Sequence, residues 1–217
     1  MTFFHLLALA LATGCSFAAP LTLDLGQGLA YHRAHSLPAD LPGSSPTRPQ
    51  PLVLDLRYAV GDADAATALS AWLKFRAAPR TPVFLLANSA TSPALRAAFA
   101  DRQHTAGLLV LGLAGSDFSP DIALKTTPEA ERLAYDALTD ASTLARLINP
   151  PITKPRNDEA RLVADYLAGR TSEPPAADPA PAATAPTPPP PPAPPATDPV
   201  LQRAVHLHRS LLALKRL

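Results

Sequence analysis

"QPLVLDLRYAVGDADAATALSAWL", residues 50–73, decides how this chain is read. Pro51-Leu52-Val53-Leu54-Asp55-Leu56 is short and almost continuously apolar. That is the pattern of a strand covered on both faces, as parallel strands are. Gly61 marks a turn. Asp62 or Asp64 can then cap a helix with its carboxylate, and Ala65, Leu69, Trp72 and Leu73 share one face of that helix. The same order recurs downstream. Val83 to Ala87 reads as a strand. Ser92-Pro93 supplies an N-cap and a proline in the first helical turn, where a missing N–H leaves no bond unmade. Leu95, Ala98 and Phe99 form the apolar stripe of that helix, and Gly107 to Leu113 reads as a third apolar strand. The connections are too long for hairpins, so the strands are expected to be parallel, with right-handed crossovers.

Working outward, Leu21 to Leu25 alternates apolar and polar residues, as a half-buried strand does. Gly28 to Ala34 follows as a second strand across a Gly26-Gln27-Gly28 turn. Residues 38–51 hold five prolines and read as a loop. Thr127-Pro128 repeats the cap-then-proline start for a helix over 128–138, and a short helix is expected at 141–148. Asn157 or Asp158 opens another, which Gly169 ends. The folded domain thus spans about residues 20–170. The fold class is α/β: a βαβ core with a mostly parallel sheet.

Both ends carry appendages. Residues 3–12, FFHLLALALA, are uncharged and apolar, too short to span a bilayer but suited to the core of a signal peptide. Ser16-Phe17-Ala18 offers a small-x-small cleavage site, making 1–18 a leader and the expected location secreted or periplasmic. Cys15, the only cysteine, sits in a sequence similar to a relaxed bacterial lipobox. That gives a second reading, a lipoprotein signal over 1–14 with a lipid anchor on Cys15. Residues 171–199 contain 13 of the 27 prolines and no apolar periodicity, a disordered linker with polyproline II character. Beyond it, residues 200–217 carry Val200, Ala204, Leu207, Leu211 and Leu214 at helical spacing. Asp198 can cap that helix and Pro199 suits its first turn. The segment holds four Lys/Arg and no acid, a basic amphipathic helix. Self-association, docking on a protein and contact with a membrane surface are the partners it suggests, with folding back on its own domain as the plain alternative. Lys+Arg is 19 against Asp+Glu 18, a balance that argues for no nucleic-acid partner.

Residues 28–113 resemble the catalytic domain of tail-specific, C-terminal-processing serine peptidases of the S41 type. The family's turn reads Leu-Asp-Leu-Arg-Asn-Asn-Pro-Gly-Gly. Leu54, Asp55, Leu56, Arg57 and Gly61 match it, while Tyr58, Ala59, Val60 and Asp62 depart from it. The resemblance implies a ClpP/crotonase-like fold and an oxyanion-binding turn at Gly61. It also implies a nucleophilic serine at the start of the helix after the next strand. Anchored on Asn88, that position is Pro93, which has neither hydroxyl nor amide N–H. The general-base lysine is displaced as well: the nearest, Lys125, comes seven positions late.

Weak catalytic candidates remain in Ser92, Ser89 or Ser116 paired with Lys125. Arg57 and Ser92 are candidate binding residues. Asp101, His104 and Ser116 make a triad only on paper. His32 with His35, and His206 with His208, are spaced poorly for chelation, so neither a metal nor a cofactor is expected. Gly112 to Ser116 reads as a strand-to-loop turn. The leading expectation is an exported, non-catalytic peptidase-like domain that binds a peptide or an envelope protein. An active serine hydrolase is the first alternative, and a structural envelope protein the second.

Overall fold

The computed structural model describes residues 19–43, 49–100, 105–149 and 196–217, together with Val163, Tyr166 and Leu167. The chain divides into two compact units, Met1–Asn149 with Ala196–Leu217, and Pro150–Pro195. In the second, Val163, Tyr166 and Leu167 are helical and exposed. The leader, Cys15, Asp101, His104 and residues 171–195 of the proline-rich segment lie outside the described residues. So does the expected helix up to Gly169, apart from those three positions.

The first unit is mixed α/β, with a six-stranded, mostly parallel sheet and five helices among the described residues. β1 (Leu21–Asp24) runs antiparallel to β2 (Ala30–Arg33) across a turn in which Gly26, Gln27 and Gly28 have positive φ. β3 (Leu52–Asp55), β4 (Val83–Leu86), β5 (Leu108–Gly112) and β6 (Ile122–Ala123) add in parallel, and the order across the sheet is the order along the chain. α1 (Ala63–Arg76) joins β3 to β4, and α2 (Pro93–Ala98) joins β4 to β5. Asp62 caps α1 by accepting from the Ala65 amide at 2.9 Å.

A sequential order with one crossover hand puts every crossover on the same face of the sheet. Leu37 from the β2–β3 loop, Leu69 and Leu73 from α1, Leu95 from α2 and Phe118 from the β5–β6 loop share one apolar cluster with Leu52, Leu54, Val83 and Leu85. The opposite face, presenting Tyr31, Val53, Phe84, Leu86 and Leu111, receives no crossover. Left bare, it would expose an apolar surface of the kind soluble domains do not tolerate. The segments after the sheet cover it: α3 (Pro128–Ala137), α4 (Ala141–Ile148) and α5 (Pro199–Ala213). Thr127 and Asp140 cap α3 and α4 with their side chains.

The tail helix is therefore a layer of the core. Val200, Leu201, Ala204, Val205 and His208 are buried, and each fully buried Val or Leu contributes about 1.5–3 kcal/mol. This face is rotated by roughly 70° from the stripe that runs from Val200 to Leu214, at 100° per residue. Leu207 and Leu211 only flank the cluster, and Leu214 is 70% exposed. The basic residues Arg203, Arg209, Lys215 and Arg216 all face solvent. Of the appended helix that the sequence suggested, the apolar side is occupied by the chain's own sheet. Among the described residues, no helix is long and apolar enough to cross a membrane.

Candidate functional site

Parallel sheets place functional groups beyond the carboxyl ends of their strands. Here that end holds a dense polar network. Alternation along β2 and β3 sends Tyr31, Arg33 and Asp55 to the face covered by α3–α5, and the chain then turns so that Arg57 follows them inward. Arg57 and Asp55 are fully buried. The guanidinium donates from Nε and Nη2 to Asp55, with Nη2 to Oδ2 at 2.7 Å. It also donates from Nη1 and Nη2 to Asp198 at 3.2 and 2.9 Å. Asp198 is at the same time the N-cap of α5, accepting from the Leu201 amide at 3.0 Å. One cation thus ties the end of β3 to the start of α5.

The cluster extends sideways. Tyr31 donates its hydroxyl to Asp55 at 2.7 Å, and Arg33 Nε donates to the Tyr31 oxygen at 3.1 Å. Arg33 Nη1 donates to the Leu138 carbonyl, and its guanidinium sits 4.0 Å from the centre of the Tyr135 ring. Burial pushes the Asp55 carboxyl up, but Arg57, Arg33 and the Tyr31 hydroxyl outweigh it and hold it below the usual carboxylate range. Burial works against the Arg57 cation too, and Asp198 and Asp55 more than reverse that. Tyr135 is pushed up to about 12, first by burial and then by the Asp55 charge. Glu131 of α3 is buried with its pKa raised, chiefly by burial. Asn88 at the end of β4 donates to its Oε2 at 2.9 Å, while Oε1 has no partner among the described residues.

Tyr58, directly after Arg57, has φ +64°. A side chain in this left-handed region costs about 1–2 kcal/mol. Its ring is held edge-on to Tyr135 at 4.8 Å, under the Arg132 guanidinium at 4.6 Å. Tyr58, Tyr135, Arg33, Arg132 and His35 line a cavity of about 540 Å³ beside the start of β1. A second, more apolar cavity of about 740 Å³, with Trp72 and Phe75 in its wall, lies on the crossover face.

The candidates drawn from the peptidase resemblance are arranged differently. Arg57 is enclosed by two carboxylates, so it is not available to a ligand as a binding residue. Gly61 is needed for packing: a Cβ there would lie 2.8 Å from Leu95 Cδ2 and 2.9 Å from Ala65 Cβ. Ser92 holds the N-cap position of α2, but its side chain does not cap the helix. Its hydroxyl donates instead to the Gly61 carbonyl at 2.9 Å, and its amide to the Ala59 carbonyl at 3.0 Å. Both bonds tie the α2 turn to the β3 turn. Pro93 opens α2, as its lack of an N–H favours. Ser89, Ser116 and Lys125 are exposed. Lys125 follows β6, two strands beyond β4 and so on the order of 10 Å across the sheet. Among the described residues, no hydrogen bond joins any of these hydroxyls to Lys125.

His32 and His35 find partners other than one another. His32 bonds Thr22 Oγ1 at 2.9 Å and the Asp40 carbonyl at 2.7 Å, and His35 Nδ1 lies 3.3 Å from the Tyr135 hydroxyl. Gly115 closes a turn with Phe118, its amide donating to the Phe118 carbonyl at 2.8 Å. No group of three metal-ligating side chains occurs among the described residues. Sequence reasoning found Asp198 as a cap but not as the partner of Arg57, and it missed Tyr31, Arg33, Asn88 and Glu131. The available signal was the polar alternation Tyr31-x-Arg33 in a strand otherwise expected to bury that face.

Comparison of the chain with protein-family models, with curated proteins and with solved structures returned no match.

Proposed function

We propose that this chain is an exported, non-catalytic relative of the tail-specific peptidases, with a ClpP/crotonase-like core that binds an extended peptide. The observation that carries the reading is the α2 turn. By the resemblance Pro93, which opens α2, falls where the family's attacking serine would stand, and the neighbouring Ser92 hydroxyl donates to the Gly61 carbonyl. A hydroxyl that donates to a backbone carbonyl, with no base beside it, is not an activated nucleophile.

The edge of β1 supports peptide binding by strand addition. Leu25 donates to the Leu29 carbonyl, and Ala30 donates to the Pro51 carbonyl of the preceding loop. By alternation, Leu21 and Leu23 pair with β2, and the main-chain groups of Thr22 and Asp24 point outward. No strand covers that edge among the described residues. A fluorescent, unstructured peptide titrated into the protein tests the reading. Binding is expected, and Thr22→Pro, which removes one outward N–H from the edge, should weaken it well beyond Thr22→Val, which loses only the side-chain bond to His32 and keeps the N–H. Absence of binding, or binding indifferent to the proline, refutes strand addition.

A further inference from the structure

The cavity beside β1 has a chemistry of its own, separate from any peptide at the sheet edge. Arg33 is 6% exposed and lines it, yet Arg33 Nη2 has no hydrogen-bond partner among the described residues. Leaving the Nη2 donors of a buried cation unpaired is costly. Arg132 lines the same cavity, its guanidinium over the Tyr58 ring; among the described residues its hydrogen bonding is confined to Nε, which donates to Asp136 at 2.8 Å. His35 faces the same space. Its Nδ1 meets the Tyr135 hydroxyl, so when Tyr135 donates, the proton sits on Nε2. The walls are the Tyr58 and Tyr135 rings, held at 4.8 Å.

We infer that this cavity is a binding site for a monoanionic organic acid, whose carboxylate accepts from Arg33 and Arg132 while its body packs on the two tyrosines. A planar carboxylate matches the guanidinium fork, which gives the strong, charge-assisted class of hydrogen bond. One negative charge suits the site better than two, because Asp136 lines the cavity and Asp55 lies behind Tyr31. Nη2 is buried, so a carboxylate reaches it only when the guanidinium shifts, at the expense of the Nη1 bond to the Leu138 carbonyl.

Benzoate tests the assignment on the full chain at about pH 8.5, with benzamide as the uncharged isostere and inorganic phosphate, a dianion at that pH, as the doubly charged control. Saturable binding of benzoate in the millimolar range is expected, accompanied by shifts in the His35 ring resonances. Benzamide and phosphate should bind at least tenfold more weakly. Arg132 is exposed, so Arg132→Gln should fold normally and weaken benzoate roughly tenfold through the loss of a charge-assisted bond. Arg33→Lys should weaken it further, and the Arg132 variant alone decides the matter if the Arg33 variant fails to fold. The assignment is overturned by any of three results: no saturable binding of benzoate, benzamide binding equally well, or an Arg132→Gln protein that binds benzoate unchanged.

Discussion

Replacing Asp198 by alanine probes the joint between sheet and tail helix. The side chain accepts two bonds from Arg57 and one from the Leu201 amide, and it is fully buried. Losing an N-cap costs about 1 kcal/mol. Breaking one limb of a buried ion pair costs about 3–5 kcal/mol, because the partner loses its compensation. Relief of the repulsion between Asp55 and Asp198 offsets part of this, so a total of about 3–5 kcal/mol is expected for Asp198→Ala. That is a large share of the roughly 5–15 kcal/mol that stabilises a typical domain. Asp198→Asn keeps the cap and an acceptor for Arg57, so it should cost clearly less. Urea unfolding measures both. At a slope of about 1–3 kcal/mol per molar, the alanine midpoint should fall by roughly 2 M. An alanine variant that loses only about 1 kcal/mol would mean that Asp198 serves as a helix cap alone. The account of α5 as a layer pinned by Arg57 would then be refuted.

Three other perturbations have defined outcomes. Gly61→Ala should lose about 1–3 kcal/mol by overpacking against Leu95 and Ala65, without any effect on ligand binding; an unchanged midpoint would show that the turn has room. The buried His208 has its pKa lowered, first by burial and then by Arg209, and its Nε2 has no partner among the described residues. Because the folded state disfavours its protonation, stability should be full above about pH 6.5 and decline as pH falls below it. His208→Leu should flatten that acid-side slope in a series of melts, and an unchanged slope would assign it to other groups. Glu131 has the opposite sign among carboxyls. Its raised pKa means that the fold prefers it protonated, so stability is lost as pH rises through that range and the loss persists at neutral pH. Glu131→Gln should therefore stabilise the protein at pH 7 and lose the advantage in acid. Destabilisation at pH 7 would show that the carboxylate form is required.

Much of the sheet can be read from the chain because β3, β4 and β5 are enclosed on both faces, which writes an unbroken apolar run into each strand. The caps Asp62 and Thr127 are legible for a similar reason, since capping is decided within three or four residues. What lies further apart in sequence is not legible. Arg57 and Asp198 are 141 residues apart, so a familiar-looking turn motif gave no hint that its arginine is consumed by a helix cap. Ser92 shows the same limit at short range. Its position is that of a cap, but Gly61, brought near by the β3 turn, competes successfully for the hydroxyl. The orientation of α5 also had to come from tertiary structure. The spacing of its apolar residues permits several faces, and the pairing of Asp198 with Arg57 turns Leu201, Val205 and His208 toward the sheet.

Mass spectrometry of unstructured peptides incubated with the purified protein bears most directly on the proposed lack of a working nucleophile. With Pro93 at the head of α2 and the Ser92 hydroxyl bound to a carbonyl, every peptide should be recovered intact, at a rate no different from buffer. Hydrolysis that disappears on Ser92→Ala or Lys125→Ala would contradict the account and identify the chain as a working peptidase.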